Sequence, residues 1–344
     1  QPIILTGSGV IWSQAWTELQ SFVEKAGIPF YTTPQGRGVL PDDHPLSFLT
    51  MRSSAFKDAD LILIIGTRMN YIIGHAAPPR FAANATIARI DIDADEISSS
   101  PRKVHIGIVG DCKAVLQQLL AAMPGRVDAG NFAPWRKTLG EGESAKRKET
   151  GGGMSMNATP IHPLRLCEEV KNFMRRDAIL VVDGQEILNY GRQSMPTFSP
   201  GHRLNSGPFG MMGVGLPFGI GAKIACLDKQ VIVVHGDGSF GLNAMELDTA
   251  VRHKVPILVV ISLNGGWTAD PKREKVGRDL GYTRFDKMAE SLGCYGEYVE
   301  KPEDIAPALK RAQAKVDQGM VALVNIKTDD KARAGTVAFS SHST

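Results

Sequence analysis

The apolar runs of this chain do not alternate. "PIILTGSG", "LILIIGT", "IARID", "AILVVDG", "VIVVHGDG" and "PILVVISLNGG" are continuous stretches of branched and aliphatic residues, each ending at a polar or glycine turn. A strand with one wet face must alternate, so a continuous run this short predicts a strand buried on both faces. Helical patterns stand between the runs: "SQAWTELQSFVEKAG", "DCKAVLQQLLAAMPG", "PLRLCEEVKNFMRR", "NAMELDTAVRHK" and "DIAPALKRAQAKV". Strands alternating with helices in this way predict parallel sheets covered by helices, the doubly wound α/β class. Beyond this, composition mainly excludes. A net charge of +3 gives no argument for nucleic acid, and no apolar run has the length of a membrane span. No signal peptide opens the chain, and Cys112, Cys167, Cys226 and Cys294 stand far apart without a CxxC pair. They read as unpaired thiols in a reducing, cytoplasmic setting.

A length of 344 residues suits two domains. Residues 1–125 form a first α/β series, expected as a Rossmann-like unit. From 126 to 160 the pattern breaks: "AKRKETGGGMSMNATPIHP" is charged, then glycine-rich, then punctuated by proline, which predicts a connection. A second series runs over 161–328, and a polar, small-residue tail occupies 329–344. The chain opens on Gln1 directly before a strand, so a longer gene product is expected.

Two turns carry the chemistry. "VIVVHGDG" ends in Gly236-Asp237-Gly238, and after 25 residues that read as helix and strand the next strand ends in Asn264-Gly265-Gly266. Ligands of open α/β sheets sit at the carboxyl ends of strands, so both turns are expected at one ligand-binding edge. The glycines let backbone approach a bulky group, and their amides suit phosphate oxygens. A carboxylate, an amide oxygen and a glycine carbonyl are hard donors that suit Mg²⁺ holding a diphosphate. Asn243 and Glu246, three apart, are expected as a capping box for the following helix.

This GDG…N stretch resembles the signature of the thiamine diphosphate enzymes. The resemblance implies that Asp237, Asn264 and the carbonyl of Gly266 coordinate the metal, and that Gly238 and Ser239 meet the diphosphate. "SGPFGMMGVGLPFGIGA", 206–222, is similar to the segment that cups the thiamine ring. By that likeness Gly210 accepts from the cofactor's amino group, and Met212 wedges between its two rings. "DGQEILN" looks like a third cofactor loop, with Gly184, Gln185 and Glu186 near the diphosphate.

The first series resembles the central domain of oxalyl-CoA decarboxylases and 2-hydroxyacyl-CoA lyases. It implies a site for ADP or the nucleotide part of CoA at Gly7, Ser8, Arg68, Asp91 and Ile92. An ordinary NAD site is disfavoured, because Trp12 stands after Gly7-x-Gly9 where the third glycine belongs. Arg273, after the metal loop, is placed against CoA phosphate. Trp267, Arg333 and Phe339 are placed at the substrate, with the tail as a lid. Trp267 departs from the decarboxylases, which carry an aliphatic residue and then tyrosine, and this favours the lyase. The implied reaction splits a 2-hydroxyacyl-CoA into an aldehyde or ketone plus formyl-CoA, reversibly. Oxalyl-CoA decarboxylase and the FAD-carrying acetolactate synthases are the alternatives among enzymes; a non-catalytic nucleotide-binding module is the alternative outside them. The family's N-terminal pyrimidine-binding domain has no match in 1–344. It is expected upstream or on a separate chain, in a homodimer or homotetramer that binds neither nucleic acid nor membrane.

Overall fold

The computed structural model describes residues 1–123, 129–267, 274 and 276–334. The chain divides into two compact units, one built on Gln1–Glu149 with Thr197–Gly201, the other on Thr150–Pro196 with His202–Thr336. Each is a doubly wound parallel α/β unit.

The first unit runs β1 (Pro2–Thr6), α1 (Ser8–Trp12), α2 (Trp16–Ala26), β2 (Phe30–Thr32), α3 (Arg52–Asp58), β3 (Leu61–Ile65), β4 (Thr86–Asp91), α4 (Ala94–Ser98), β5 (Ile106–Val109), α5 (Cys112–Ala122) and α6 (Ala133–Met154). All strands pair parallel in the order β2-β1-β3-β4-β5. The unbroken apolar runs have the expected cause. Ile3 and Leu5 of β1 enter a core with Phe56, Phe81 and Trp135, while Ile4 enters the opposite core with Leu19, Val23 and Leu116. Each such buried aliphatic side chain contributes roughly 1.5–3 kcal/mol.

The second unit runs α7 (Pro163–Phe173), β6 (Ile179–Asp183), α8 (Glu186–Ser194), β7 (Arg203–Leu204), α9 (Gly215–Ala225), β8 (Val231–Gly236), α10 (Asp237–Leu242), α11 (Glu246–Arg252), β9 (Leu258–Leu263), α12 (Phe285–Ser291), β10 (Tyr295–Val299), α13 (Ile305–Asp317) and β11 (Ala322–Lys327). The strand order is β10-β11-β9-β8-β6-β7, again all parallel. Leu180, Val182, Ile232, Val234 and Val260 face one core; Val181, Val233, Val259 and Ile261 face the other.

Two expectations are corrected. The stretch 126–160 is not a plain connection, for the 22-residue α6 fills most of it and the division between units falls inside that helix, between Glu149 and Thr150. Its buried stripe is Trp135, Leu139 and Glu143, spaced by four. The third member is a carboxylate, which hides the stripe from a hydrophobic pattern. Glu143 is satisfied there: it accepts from the Thr50 amide at 2.8 Å, the Thr50 hydroxyl at 2.6 Å and Arg147 at 2.7 Å. The capping box also fails. Asn243 donates its side-chain amide to the Gly213 carbonyl at 2.7 Å, and α11 has no side-chain cap. Among the described residues no helix is long and apolar enough to cross a membrane.

Candidate active site

β6, β8 and β9 are neighbours in register, with Asp183 beside His235 and Gly236 beside Ser262. The chain leaves β6 toward β7 on one side and later returns as β8 on the other, so the sheet's switch point lies between β6 and β8. A crevice at the carboxyl ends follows from that topology. It is present as a small open cleft of about 30 Å³. Of the residues singled out from sequence, Gly184, Gln185, Glu186, Met212, Gly236, Asp237, Gly238, Ser239, Asn264, Gly266 and Trp267 line it together. Gly210 does not. It is exposed, in the left-handed region at φ 64°, and closes the short turn before Met212. Sequence reasoning passed over Pro163, Ile187, Ser262, Asp329 and Ala332, which complete the lining.

Asp237 is the anchor of the cleft. It is 4% exposed. One carboxylate oxygen accepts from the Gly238 amide at 2.8 Å; the other accepts from Gly265 at 2.6 Å and Gly266 at 3.1 Å. Burial nevertheless pushes its pKa up to about 6 against these amides. Among the described residues no lysine or arginine pairs with it. Asn264 directs its side-chain oxygen to the Gly266 amide at 3.3 Å. Each glycine of Asn-Gly-Gly has its own reason. Gly265 sits at φ 77°, and a Cβ on Gly266 would stand 2.3 Å from the Arg278 carbonyl where the returning chain pairs with it.

A buried anionic group held in place by amides, beside neutral oxygens, fits a hard divalent cation. Among the described residues no group of three His, Cys, Asp or Glu could hold a metal. A cation here would therefore rest on one carboxylate, neutral oxygens and the ligand's own anionic oxygens.

The other loops are more occupied than the sequence suggested. The Gly238 amide is spent on Asp237, and a Cβ on Gly238 would stand 2.8 Å from the Trp267 ring. The Trp267 indole thus covers the face left open by the glycine. Ser239 donates its hydroxyl to the Gly236 carbonyl at 3.0 Å and lies 3.1 Å from His235 Nδ1. With that proton committed, His235 donates from Nδ1, and among the described residues its buried Nε2 has no partner. Burial pushes the His235 pKa down to about 3, so the ring is neutral.

Glu186 accepts the Ala334 amide at 2.8 Å. The tail therefore returns to the cleft, where Asp329 and Ala332 join the wall and Ala334 is buried in the core. A tail that reads as polar and small-residue-rich thus contributes Ala334 to the core. Arg333 spends one nitrogen on the carbonyls of Asp330 and Ala332, at 2.8 Å each. Phe339 and Arg273 lie outside the described residues. Deleting the chain after Lys331 removes this wall. The expected outcome is thiamine diphosphate affinity within about threefold of the parent and a turnover loss on the order of 100-fold, read by calorimetry and steady-state assay.

In the first unit, Gly7 and Ser8 follow β1, Arg68 follows β3, and Asp91 and Ile92 end β4. The switch point lies between β1 and β3. Close approach explains the glycines, since a Cβ on Gly9 would stand 2.7 Å from Gly66 Cα. The charged residues are engaged with one another. Arg89, fully buried, pairs with Asp91 at 2.9 Å and Glu96 at 2.8 Å, and Arg68 reaches Glu96 at 3.2 Å. Ile92 is exposed.

Each unit is a parallel α/β sheet, and the second carries a buried aspartate and glycine turns in the cleft at its switch point. Comparison with known families agrees. Residues 1–119 match the thiamine pyrophosphate enzyme central domain, and residues 188–326 match the thiamine pyrophosphate enzyme C-terminal TPP binding domain. The chain belongs to the thiamine pyrophosphate enzymes, of which it carries these two domains. It is 34% identical over 341 residues to a probable acetolactate synthase of Mycobacterium bovis, covering 96% of this chain and 59% of that protein. It is 32% identical over 346 residues to 2-hydroxyacyl-CoA lyase 1 of Mus musculus, covering 95% and 59%. It is 29% identical over 318 residues to oxalyl-CoA decarboxylase of Escherichia coli, covering 90% and 56%. The chain thus spans less than two thirds of the length of these relatives.

Proposed function

We propose that this chain is the cofactor-binding part of a thiamine diphosphate-dependent carbon–carbon lyase. Its substrate would be a 2-hydroxyacyl-CoA, cleaved to an aldehyde or ketone plus formyl-CoA. The observation that carries the cofactor reading is Asp237, a buried carboxylate held by three amides at the cleft and, among the described residues, not paired with a lysine or arginine. The acyl-CoA reading is supported by the likeness to lyases from mouse, human, Arabidopsis thaliana and rice.

Thiamine diphosphate, when bound, supplies a nucleophilic carbon and an electron sink for cleavage next to a carbonyl. The residues of this chain supply the rest. Asp237, Asn264 and the Gly266 carbonyl would hold Mg²⁺, and Gly184, Gln185 and Ser239 would border the diphosphate. Glu186 ties the tail across the wall, and Trp267 and Ala332 keep water from the reacting carbon. Met212, brought into the cleft on a glycine-flanked turn, would fix the bend between the cofactor's rings. A nucleotide, as ADP or as part of CoA, would lie at the first unit's switch point, against Gly7, Ser8 and Arg68. The pyrimidine-binding domain would come from outside these residues, and the assembly would be a homo-oligomer.

A second reading, an acetolactate synthase, is favoured by the similarity to the mycobacterial proteins. One assay separates the two. Full-length protein with thiamine diphosphate and Mg²⁺ is offered a 2-hydroxyacyl-CoA or pyruvate. Release of formyl-CoA supports the lyase; acetolactate from pyruvate, without formyl-CoA, replaces it with the second reading.

Met212→Ala is expected to lower kcat by on the order of 10- to 100-fold while the Kd of thiamine diphosphate moves less than about threefold. Equal losses in both would make Met212 a plain packing residue.

A further inference from the structure

We infer that Asp183 is a positioning residue, whose carboxylate sets the backbone turn that carries Met212 into the cleft. The inference rests on the reading of Met212 given above and adds the group that makes it possible. Asp183 ends β6, is 3% exposed, and accepts with a single oxygen from the amides of both Gly213 and Gly215, at 2.8 Å each. Its nearest ionisable neighbour is the neutral His235 ring, at 3.7 Å. Among the described residues no cation pairs with it. A strand-end carboxylate buried in this way serves the amides it holds, and here both belong to the turn after Met212.

That turn needs an anchor. Met211 and Met212 lie between Gly210 at φ 64° and Gly213 at φ 92°, so the pair is bordered by glycines that restrict its backbone little. The methionine side chain has three rotatable bonds and fits whatever gap it is given. Its direction is therefore set by the backbone. The turn is gripped from two sides: Asp183 takes its amides, and the Asn243 side chain donates to the Gly213 carbonyl at 2.7 Å. The third restraint is steric. A Cβ on Gly215 would stand 2.5 Å from His235 Cε1 and 2.8 Å from Asp183 Cβ, so the turn lies directly on these two side chains. Burial raises the Asp183 carboxyl above its usual range, and the amides of Gly215 and Gly213 oppose that rise. The group is held for its geometry at some cost in solvation.

The test uses the full-length protein and reads the turn separately from the chemistry. Hydrogen exchange of the amides from 212 to 216 is measured without cofactor; kcat and the thiamine diphosphate Kd are measured with cofactor and Mg²⁺. Asp183→Ala is expected to speed exchange at Gly213 and Gly215 at least about tenfold. In the same variant kcat falls as far as in Met212→Ala, while Kd moves less than about threefold. Asp183→Asn, which keeps one oxygen for both amides, restores most of the protection and turnover. Asn243→Ala frees the turn from its other side and gives the same pattern at smaller size, which keeps the test open if Asp183→Ala does not fold. Unchanged exchange in Asp183→Ala overturns the inference, as does faster exchange with unchanged kcat while Met212→Ala is impaired. If Met212→Ala itself is unimpaired, the reading of Met212 fails, and faster exchange in Asp183→Ala still supports the hold on the turn.

Discussion

Asp237→Ala is expected to abolish magnesium-dependent binding of thiamine diphosphate. Among the described residues Asp237 is the carboxylate held by the amides of the Asn-Gly-Gly turn, and in the proposed function the diphosphate would reach the protein largely through the metal that it holds. Losing it lowers affinity by on the order of 100-fold or more. Asp237→Asn, which keeps an oxygen for the amides of Gly238, Gly265 and Gly266, is expected to bind as poorly, because the charge is gone. Stability of the cofactor-free protein separates this from misfolding. Burial raises the Asp237 pKa from its ordinary range to about 6. The folded state therefore keeps a proton that the unfolded state has lost, and the aspartate's cost to stability grows as pH rises through that interval. Below the unfolded value the cost is absent; above pH 6 it is fully present. Removing the carboxylate relieves that cost at neutral pH and leaves the Gly238 and Gly265 amides short of an acceptor, each worth roughly 1–3 kcal/mol when buried, while Gly266 keeps Asn264. The two effects oppose, so the cofactor-free variant is expected to unfold cooperatively while its binding isotherm is flat. A Kd within threefold of the parent would contradict the account.

Gly215→Val carries the second large effect. The first helical position of α9 stands against His235 and Asp183, which have little room to move because both are buried and paired in β8 and β6. The added Cβ alone would come within 2.5 Å of His235 Cε1 and 2.7 Å of His235 Nε2. Overpacking of this kind costs about 1–3 kcal/mol, and here it also pushes the Gly213 and Gly215 amides off Asp183. Both denaturation midpoint and turnover are expected to fall. Gly221→Ala is the control. It lies in the same helix with nothing within 4 Å of its would-be Cβ, and replacing glycine in a helix stabilises by roughly 0.5–1 kcal/mol. A Gly215→Val protein as stable as Gly221→Ala would show that the floor of the cleft is not rigid.

The strands were legible because burial on both faces writes itself as a continuous apolar run, and their ends were legible because turns there require glycine and polar residues. Hence the cleft loops at Gly184, Asp237 and Asn264 could be placed from sequence. Other parts left weaker traces. β5 is a four-residue edge strand with Ile106 and Val109 exposed, so it lacks the buried signature. The stripe of α6 is broken by the carboxylate of Glu143, which is buried for its bonds to Thr50. Asn243 has the spacing of a helix cap, but the Gly213 carbonyl competes for its side chain, and nothing local reveals that contest. Asp183 was the one recoverable omission. "AILVVDG" ends a buried strand with an aspartate just as "VIVVHGDG" does, and a buried strand-end acid asks for donors. The tail's polar, small-residue composition likewise hides that Ala334 enters the core, where its amide also reaches Glu186.

The most direct measurement replaces Mg²⁺ with Mn²⁺ in crystals of the full-length protein grown with thiamine diphosphate, and locates the metal by its anomalous scattering. The account predicts a single strong peak about 2.0–2.3 Å from a carboxylate oxygen of Asp237, the side-chain oxygen of Asn264 and the carbonyl oxygen of Gly266. The same peak vanishes in Asp237→Ala. Cofactor bound with the manganese elsewhere, or with none between Asp237 and Asn264, would contradict it.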